Sequence, residues 1–218
     1  MKARHSGLIR MFLIVLSIES MCTFAEASAI SHGPIMGLVR PELARIWLRT
    51  DERAEVLIEY SENTDFSISR FSPIRRTNVS RDYTTKIPLR FLRSQTDYYY
   101  RVYLNNVIQP KVYKLRTSPD DSRQVNFKFA VLTDFISNAN APVFATVASF
   151  NPDFLIFLGD LDHKLAPHSN PINLKAMRTM HRRVRSFTTP LGTDFINNLM
   201  ERFPLYHIWD DHDYGINN

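Results

Sequence analysis

Cysteine is almost absent from the chain, which contains one cysteine, Cys22, among 218 residues. Cys22 lies in an N-terminal segment that we expect to be removed on export, and the residues before it make a poor lipidation site. The rest of the chain then has no thiol. Neither a disulfide nor thiolate chemistry can therefore account for its stability or its function.

Long apolar runs are also missing. The apolar run at residues 11–18 is shorter than the roughly 20 residues that a bilayer span needs. Basic residues precede this run, and Ala25-Glu26-Ala27 follows it with small residues at the spacing that a signal peptidase requires. We therefore expect residues 1–27 to be a signal peptide, the protein to be exported to the periplasm or beyond, and the mature chain to have no membrane span.

Basic clusters of the kind that bind nucleic acid are lacking too, because no Lys/Arg run is long or interleaved with aromatic residues. The net charge of +5 and the pI of about 9.4 fit an anionic partner and fit a merely basic surface equally well. Hydrophobic residues make up 44% of the chain and aromatic residues 12%, which is typical of a globular protein with a real core. The sequence leaves the oligomeric state open.

Alternation with a period of two dominates the first half of the chain. Ala44, Ile46 and Leu48 alternate with polar or larger residues, and similar short runs recur at regular spacing with no helical stretch among them. This pattern predicts a small antiparallel β-sandwich over residues 30–118 that folds independently. The polar, proline-containing stretch that follows predicts a linker at residues 119–124.

The pattern changes beyond the linker. Phe127–Leu132, Asp153–Leu158 and Leu205–Trp209 are strand-like apolar runs, and helical periodicities separate them. Strands that alternate with helices indicate a buried parallel sheet. We therefore expect an α/β domain over residues 125–218.

Each of these three strands ends in carboxylates, at Asp134, at Asp160 and at Asp210-Asp211. The carboxyl ends of parallel strands lie on one edge of a sheet, so these side chains can converge. Carboxylates mixed with imidazole suit iron, manganese, zinc or calcium. The alternative for the last cluster is a solvated acidic loop.

These motifs resemble those of a known family. Asp134, Gly159-Asp160 and Asp211-His212-Asp213 are similar to the Asp, Gly-Asp and Asn-His-Asp/Glu blocks of calcineurin-like metallophosphoesterases. Phe154–Asp160 together with Pro204–Asn218 looks like the alkaline phosphatase D (PhoD-like) branch. The resemblance implies a fibronectin III/Ig-like β-sandwich followed by a layered α-β-β-α metallophosphoesterase domain.

The resemblance also implies a metal site. Asp160 would bridge two metal ions, Asp134 would bind one of them and Asp211 the other. His163 would add a ligand where this branch has a metal-binding tyrosine. Iron and calcium are the metals implied, with zinc or manganese as alternatives.

Catalysis would fall to the last motif. His212 would contact the phosphoryl oxygens and protonate the leaving group, and Asp213 would orient His212. The implied reaction is metal-dependent hydrolysis of phosphate mono- or diesters.

Two further expectations concern whether this chain is catalytically active. The family draws additional ligands from beyond the third motif, so we expect this chain to carry only the N-terminal part of a truncated catalytic domain and to be inactive or nearly so. The alternative function is a secreted β-sandwich binding module with a non-catalytic, calcium-binding remnant.

Overall fold

The computed structural model describes residues 28–134, 142–160, 173–186 and 190–214. The predicted signal peptide and His163 lie outside these ranges. No helix in the described ranges is long and apolar enough to cross a membrane.

Eight strands form the first part of the described chain: β1 Ile30–Val39, β2 Leu43–Thr50, β3 Glu55–Ser61, β4 Ser69–Phe71, β5 Arg75–Arg76, β6 Thr84–Arg90, β7 Asp97–Leu104 and β8 Val107–Arg116. A short 3-10 turn, Val79–Arg81, precedes β6. One sheet has the strand order β1-β2-β6, and the other has the order β4-β3-β7-β8, with β5 pairing with β3. All pairings within the two sheets are antiparallel.

The two antiparallel sheets share one hydrophobic core. Ile46 and Ile87 from the first sheet and Ile58 and Tyr100 from the second are fully buried in it. The Tyr100 ring stacks on Tyr113 with 5.1 Å between ring centroids. The alternation that predicted β2 and β7 is confirmed, because every second residue of these strands points into this core.

Three parallel strands and four helices form the second part of the described chain: β9 Phe129–Leu132, α1 Pro142–Ser149, β10 Phe154–Phe157, α2 Leu174–Val184, α3 Pro190–Phe195, β11 Leu205–His207 and α4 Asp211–Tyr214. A π-helical turn, Ile196–Met200, continues α3. The strand order is β11-β10-β9 with both pairings parallel. The strands are shorter than the sequence predicted. β9 begins at Phe129 rather than at Phe127, and β11 ends at His207 rather than at Trp209.

A second hydrophobic core covers one face of the parallel sheet. Phe157 of β10, Phe144 of α1 and Phe195 of α3 are fully buried, and the rings of Phe144 and Phe195 lie 5.0 Å apart. Met180 and Val184 are the buried residues of α2. Leu174 is 65% exposed because it occupies the first position of the helix.

The β1 strand joins the two cores. Met36 packs into the first core, whereas Ile35 packs into the second, where Trp47 of β2 also makes contact. His32, at the same junction, contacts the carbonyl oxygen of Arg182 through Nε2 at 3.0 Å. Burial lowers the pKa of His32 to about 4, so this imidazole is neutral at neutral pH. The independent folding of residues 30–118 stays a prediction, and separating the two parts would uncover Ile35 and Trp47.

An ion-pair cluster also spans the junction. Arg182 of α2 donates to both carboxylate oxygens of Asp82, at 2.7 and 2.8 Å, and Arg49 of β2 lies 3.4 Å from the same carboxylate. Burial raises the pKa of Asp82, but the hydrogen bonds from Arg182 and Arg49 outweigh it and hold the pKa below its ordinary value.

The depressed pKa of Asp82 predicts how stability depends on pH. Its contribution is present above the unfolded pKa of about 3.9 and is lost as the pH falls through the lower folded value. We expect Asp82→Asn to reduce the free energy of unfolding by about 1–3 kcal/mol at neutral pH, the usual worth of hydrogen bonds between charged groups. Urea unfolding at neutral and acidic pH measures this difference. Asp121→Asn, at an exposed position, is the matched control, and a difference that persists undiminished in acid would contradict the assignment.

Candidate metal centre

The candidate site lies where β10 and β11 end. β10 continues into Leu158-Gly159-Asp160, and β11 continues into the loop before α4. The amide of Ile208 donates to the carbonyl of Phe157 at 2.9 Å, so the two chains stay paired as they leave the sheet. Because neighbouring parallel strands end at the same edge, the two loops meet there.

Three potential ligands converge at this edge. Asp160, Asp211 and His212 each offer one donor atom, and these atoms lie within 4.8 Å of one another. The three residues are buried, with exposed fractions of 8%, 8% and 5%. The backbone amide of His212 donates to Asp160 Oδ1 at 3.3 Å and to Asp211 Oδ1 at 2.9 Å. The structure thus brings together one strand-end carboxylate from each loop and the imidazole of the third motif.

Gly159 makes the close approach of the two loops feasible. Its φ is +98°, and a Cβ atom at this position would lie 2.5 Å from the Asp210 amide nitrogen and 3.0 Å from Asp213 Oδ2. Asp160 follows with φ +56°, a left-handed conformation that aspartate tolerates better than most residues. The Gly-Asp pair therefore has a steric cause: only glycine lets the β10 loop pass against the β11 loop.

We expect Gly159→Ala to lower the free energy of unfolding by more than about 2 kcal/mol, because a strained φ and a backbone clash add together. Gly37→Ala is the matched control. A Cβ atom at Gly37 would meet Arg45 O at an ordinary 3.6 Å, and we expect a loss below about 1 kcal/mol. Urea unfolding of both variants tests the pair, and equal losses would show that the Gly159 turn is not sterically restricted.

Asp213 holds the two loops together. It is 1% exposed, and its Oδ2 accepts hydrogen bonds from the amide of Asp160 at 2.9 Å and from the amide of Asp210 at 3.2 Å. His207 Nε2 lies 3.3 Å from the same oxygen. Through these contacts Asp213 fixes the backbone on which Asp160 and His212 are mounted.

Helix α2 contacts the backbone of Asp213 through His181. His181 Nε2 donates to the carbonyl oxygen of Asp213 at 3.0 Å, because Arg185 Nη1 donates to His181 Nδ1 at 2.9 Å and so fixes the tautomer. Burial, followed by the charge of Arg185, lowers the pKa of His181 to about 4. Nothing in the sequence indicates that His181 and His207 contact Asp213, because the contacts join separate elements.

Asp134 lies on the same sheet edge but outside the group of three donors that the described residues form. It is exposed, has φ +55° and accepts a hydrogen bond from Thr133 Oγ1 at 3.1 Å. Thr133 Oγ1 also lies 3.3 Å from the carbonyl oxygen of Gly159, which places the β9 end beside the β10 loop. A metal-binding role for Asp134 stays a prediction, as does that of His163, which falls outside the described ranges.

The fold and the site together define an antiparallel two-sheet unit that precedes a parallel sheet with an acidic, histidine-bearing edge. Residues 19–119 match the family described as PhoD-like phosphatase, N-terminal domain. This match confirms, for residues 19–119, the resemblance to the PhoD-like branch. A comparison with curated protein sequences gives no match.

Two solved structures share the architecture. The structure of PhoD aligns with a TM-score of 0.67 at 19% identity, covering 82% of this chain and 38% of PhoD. The purple acid phosphatase PPD1 from yellow lupin (Lupinus luteus) seeds aligns with a TM-score of 0.59 at 12% identity, covering 85% of this chain and 35% of that protein. At these identities the likeness concerns the fold. The chain spans little more than a third of either protein.

Proposed function

We propose that this chain carries part of a metal-dependent phosphoric ester hydrolase of the PhoD-like type that acts outside the cytoplasm. The convergence of Asp160, Asp211 and His212 within 4.8 Å carries the proposal. We further infer that the antiparallel unit is a fibronectin III-like sandwich, which the single core between its two sheets supports.

The donor set fits a metal ion. Two buried carboxylates this close together repel one another, and a cation relieves that repulsion. Oxygen donors with one imidazole suit iron, zinc, manganese or calcium. Asp160 and Asp211 would hold the ion, and Asp134 would extend the site along the β9 end. When bound, such an ion polarises a phosphoryl oxygen and lowers the pKa of a bound water molecule.

The remaining residues have roles of their own. Gly159 and Asp213 hold the loops in register, so the donors are positioned before a substrate arrives. His212, mounted between the two carboxylates, would donate a proton from its ring to the leaving-group oxygen. Asp213 would act on His212 through the shared backbone of α4. The substrates proposed are phosphate mono- or diesters, and iron and calcium are the proposed metals.

Turnover of p-nitrophenyl phosphate and of bis(p-nitrophenyl) phosphate tests the function. Turnover that is lost with a chelator and restored by one metal ion would support it. The alternative is a secreted binding module with a non-catalytic, calcium-binding remnant. Stoichiometric binding of calcium, with no binding of iron, zinc or manganese and no turnover of either ester, would support that alternative over the hydrolase.

A further inference from the structure

A large cleft lies at the junction of the two parts, apart from the three metal donors. It has a volume of about 1350 Å³, and its walls come from β2, β5, β6 and the 3-10 turn on one side and from α2 and the residues around β11 on the other. Two carboxylates, Glu55 and Asp82, line it. Eight basic side chains line it: Arg49, Arg75, Arg76, Arg81, Lys86, Arg178, Arg182 and Arg185.

Part of this positive charge is balanced within the protein. Asp82 is shared by Arg49 and Arg182, and Glu55 pairs with Arg76 at 2.6 Å. These contacts use both carboxylates of the cleft, and Arg185 is engaged with His181, to whose Nδ1 it donates at 2.9 Å.

Four further cations are left over. Arg75, Arg81, Lys86 and Arg178 have no ion-pair partner in the part of the chain that the structure describes, and Arg178 donates only to the carbonyl oxygen of Ser80, at 3.1 Å. Like charges gathered in one cleft raise its positive potential and attract anions.

The distribution of these cations indicates the shape of the anion. Arg75, Arg81 and Lys86 lie along the β wall, and Arg178 lies on the α2 wall. Charges on several elements along both walls suit an extended anion better than a single small one. Guanidinium groups match phosphate oxygens in a two-pronged geometry, so repeating phosphates are the chemistry that this arrangement fits.

Stacking platforms for nucleic-acid bases are few. Trp209, 63% exposed, lies in the cleft wall, whereas Trp47 packs partly into the second core. Binding successive bases takes successive aromatic side chains. The cleft therefore favours a phosphate chain without bases.

We propose that this junction cleft binds a linear chain of phosphates of the inorganic polyphosphate type. His181 and His207 also line the cleft and both contact Asp213, so the bound chain would lie beside the candidate metal centre. The proposal concerns binding and does not depend on ester hydrolysis, so each can fail without the other.

Titration of the chain with linear polyphosphate of defined length, at a series of salt concentrations, tests the proposal. We expect the logarithm of the affinity to fall linearly with the logarithm of the salt concentration. Arg75→Gln, Lys86→Gln and Arg178→Gln should each weaken binding about two- to tenfold and reduce the salt slope by about one. Lys175→Gln, on α2, and Arg53→Gln remove the same charge at exposed positions outside the cleft and should leave the affinity unchanged.

Three results would overturn the proposal. One is binding that the cleft variants and the control variants weaken equally, which would indicate a general charge effect. Another is the absence of polyphosphate binding at low salt. The third is tighter binding of a single-stranded oligonucleotide of equal charge, which would identify a nucleic-acid site.

Discussion

Asp160→Ala should abolish metal binding by the chain together with any ester hydrolysis. Asp160 is the donor that β10 contributes to the group of three, whereas Asp211 and His212 both come from α4. Within this group its removal leaves ligands from α4 alone, and these cannot hold an ion between the β10 and β11 loops. Metal content by mass spectrometry and affinity by calorimetry measure the loss.

Two further variants make the Asp160 result specific. Alanine at φ +56° is strained, so Asp160→Asn is the companion variant, because asparagine tolerates this conformation and keeps an oxygen for the amide of His212. Asp210→Ala removes a carboxylate from the neighbouring loop outside the donor group and should retain metal binding. Wild-type metal content in Asp160→Asn would refute the assignment of Asp160 as a ligand.

The part of the site that the sequence predicts best is the set of carboxylates at the strand ends. Apolar runs that end in Asp134, Asp160 and Asp211 identified the strand ends, because short parallel strands with few polar residues stand out from helical periodicity. The parallel order then placed these residues on one edge. The Gly-Asp motif is visible in the sequence, whereas the steric reason for Gly159 lies in the β11 loop, which packs against it.

Other features could not be predicted, because residues distant in sequence create them. β1 does not alternate between buried and exposed residues, since Ile35 faces the second core while Met36 faces the first. The period-two pattern requires one solvated face, and β1 has none. The junction cleft likewise combines Lys86 with Arg178, and neither residue lies in a basic run.

His212→Ala tests the role of the histidine itself. In a form of the protein that hydrolyses the esters, we expect this variant to keep its metal yet to lose about 10²–10⁴-fold in rate, the usual range for general acid–base assistance. The structure makes the test necessary, because His212 lies among the three potential ligands and its Nε2 is 4.0 Å from Asp211 Oδ1. If His212 is a ligand, His212→Ala should lose metal. If His212 is only a proton donor, the variant should keep its metal.

Metal content and rate must therefore be measured on the same preparation of His212→Ala. Retained metal with a reduced rate supports the proton donor, whereas loss of both would make His212 a ligand and leave the acid to another residue. His32→Ala is the matched control, since it removes a buried imidazole at the junction of the two cores. It should reduce stability without changing either the metal content or the rate of the folded protein. An unchanged rate in His212→Ala would refute both roles.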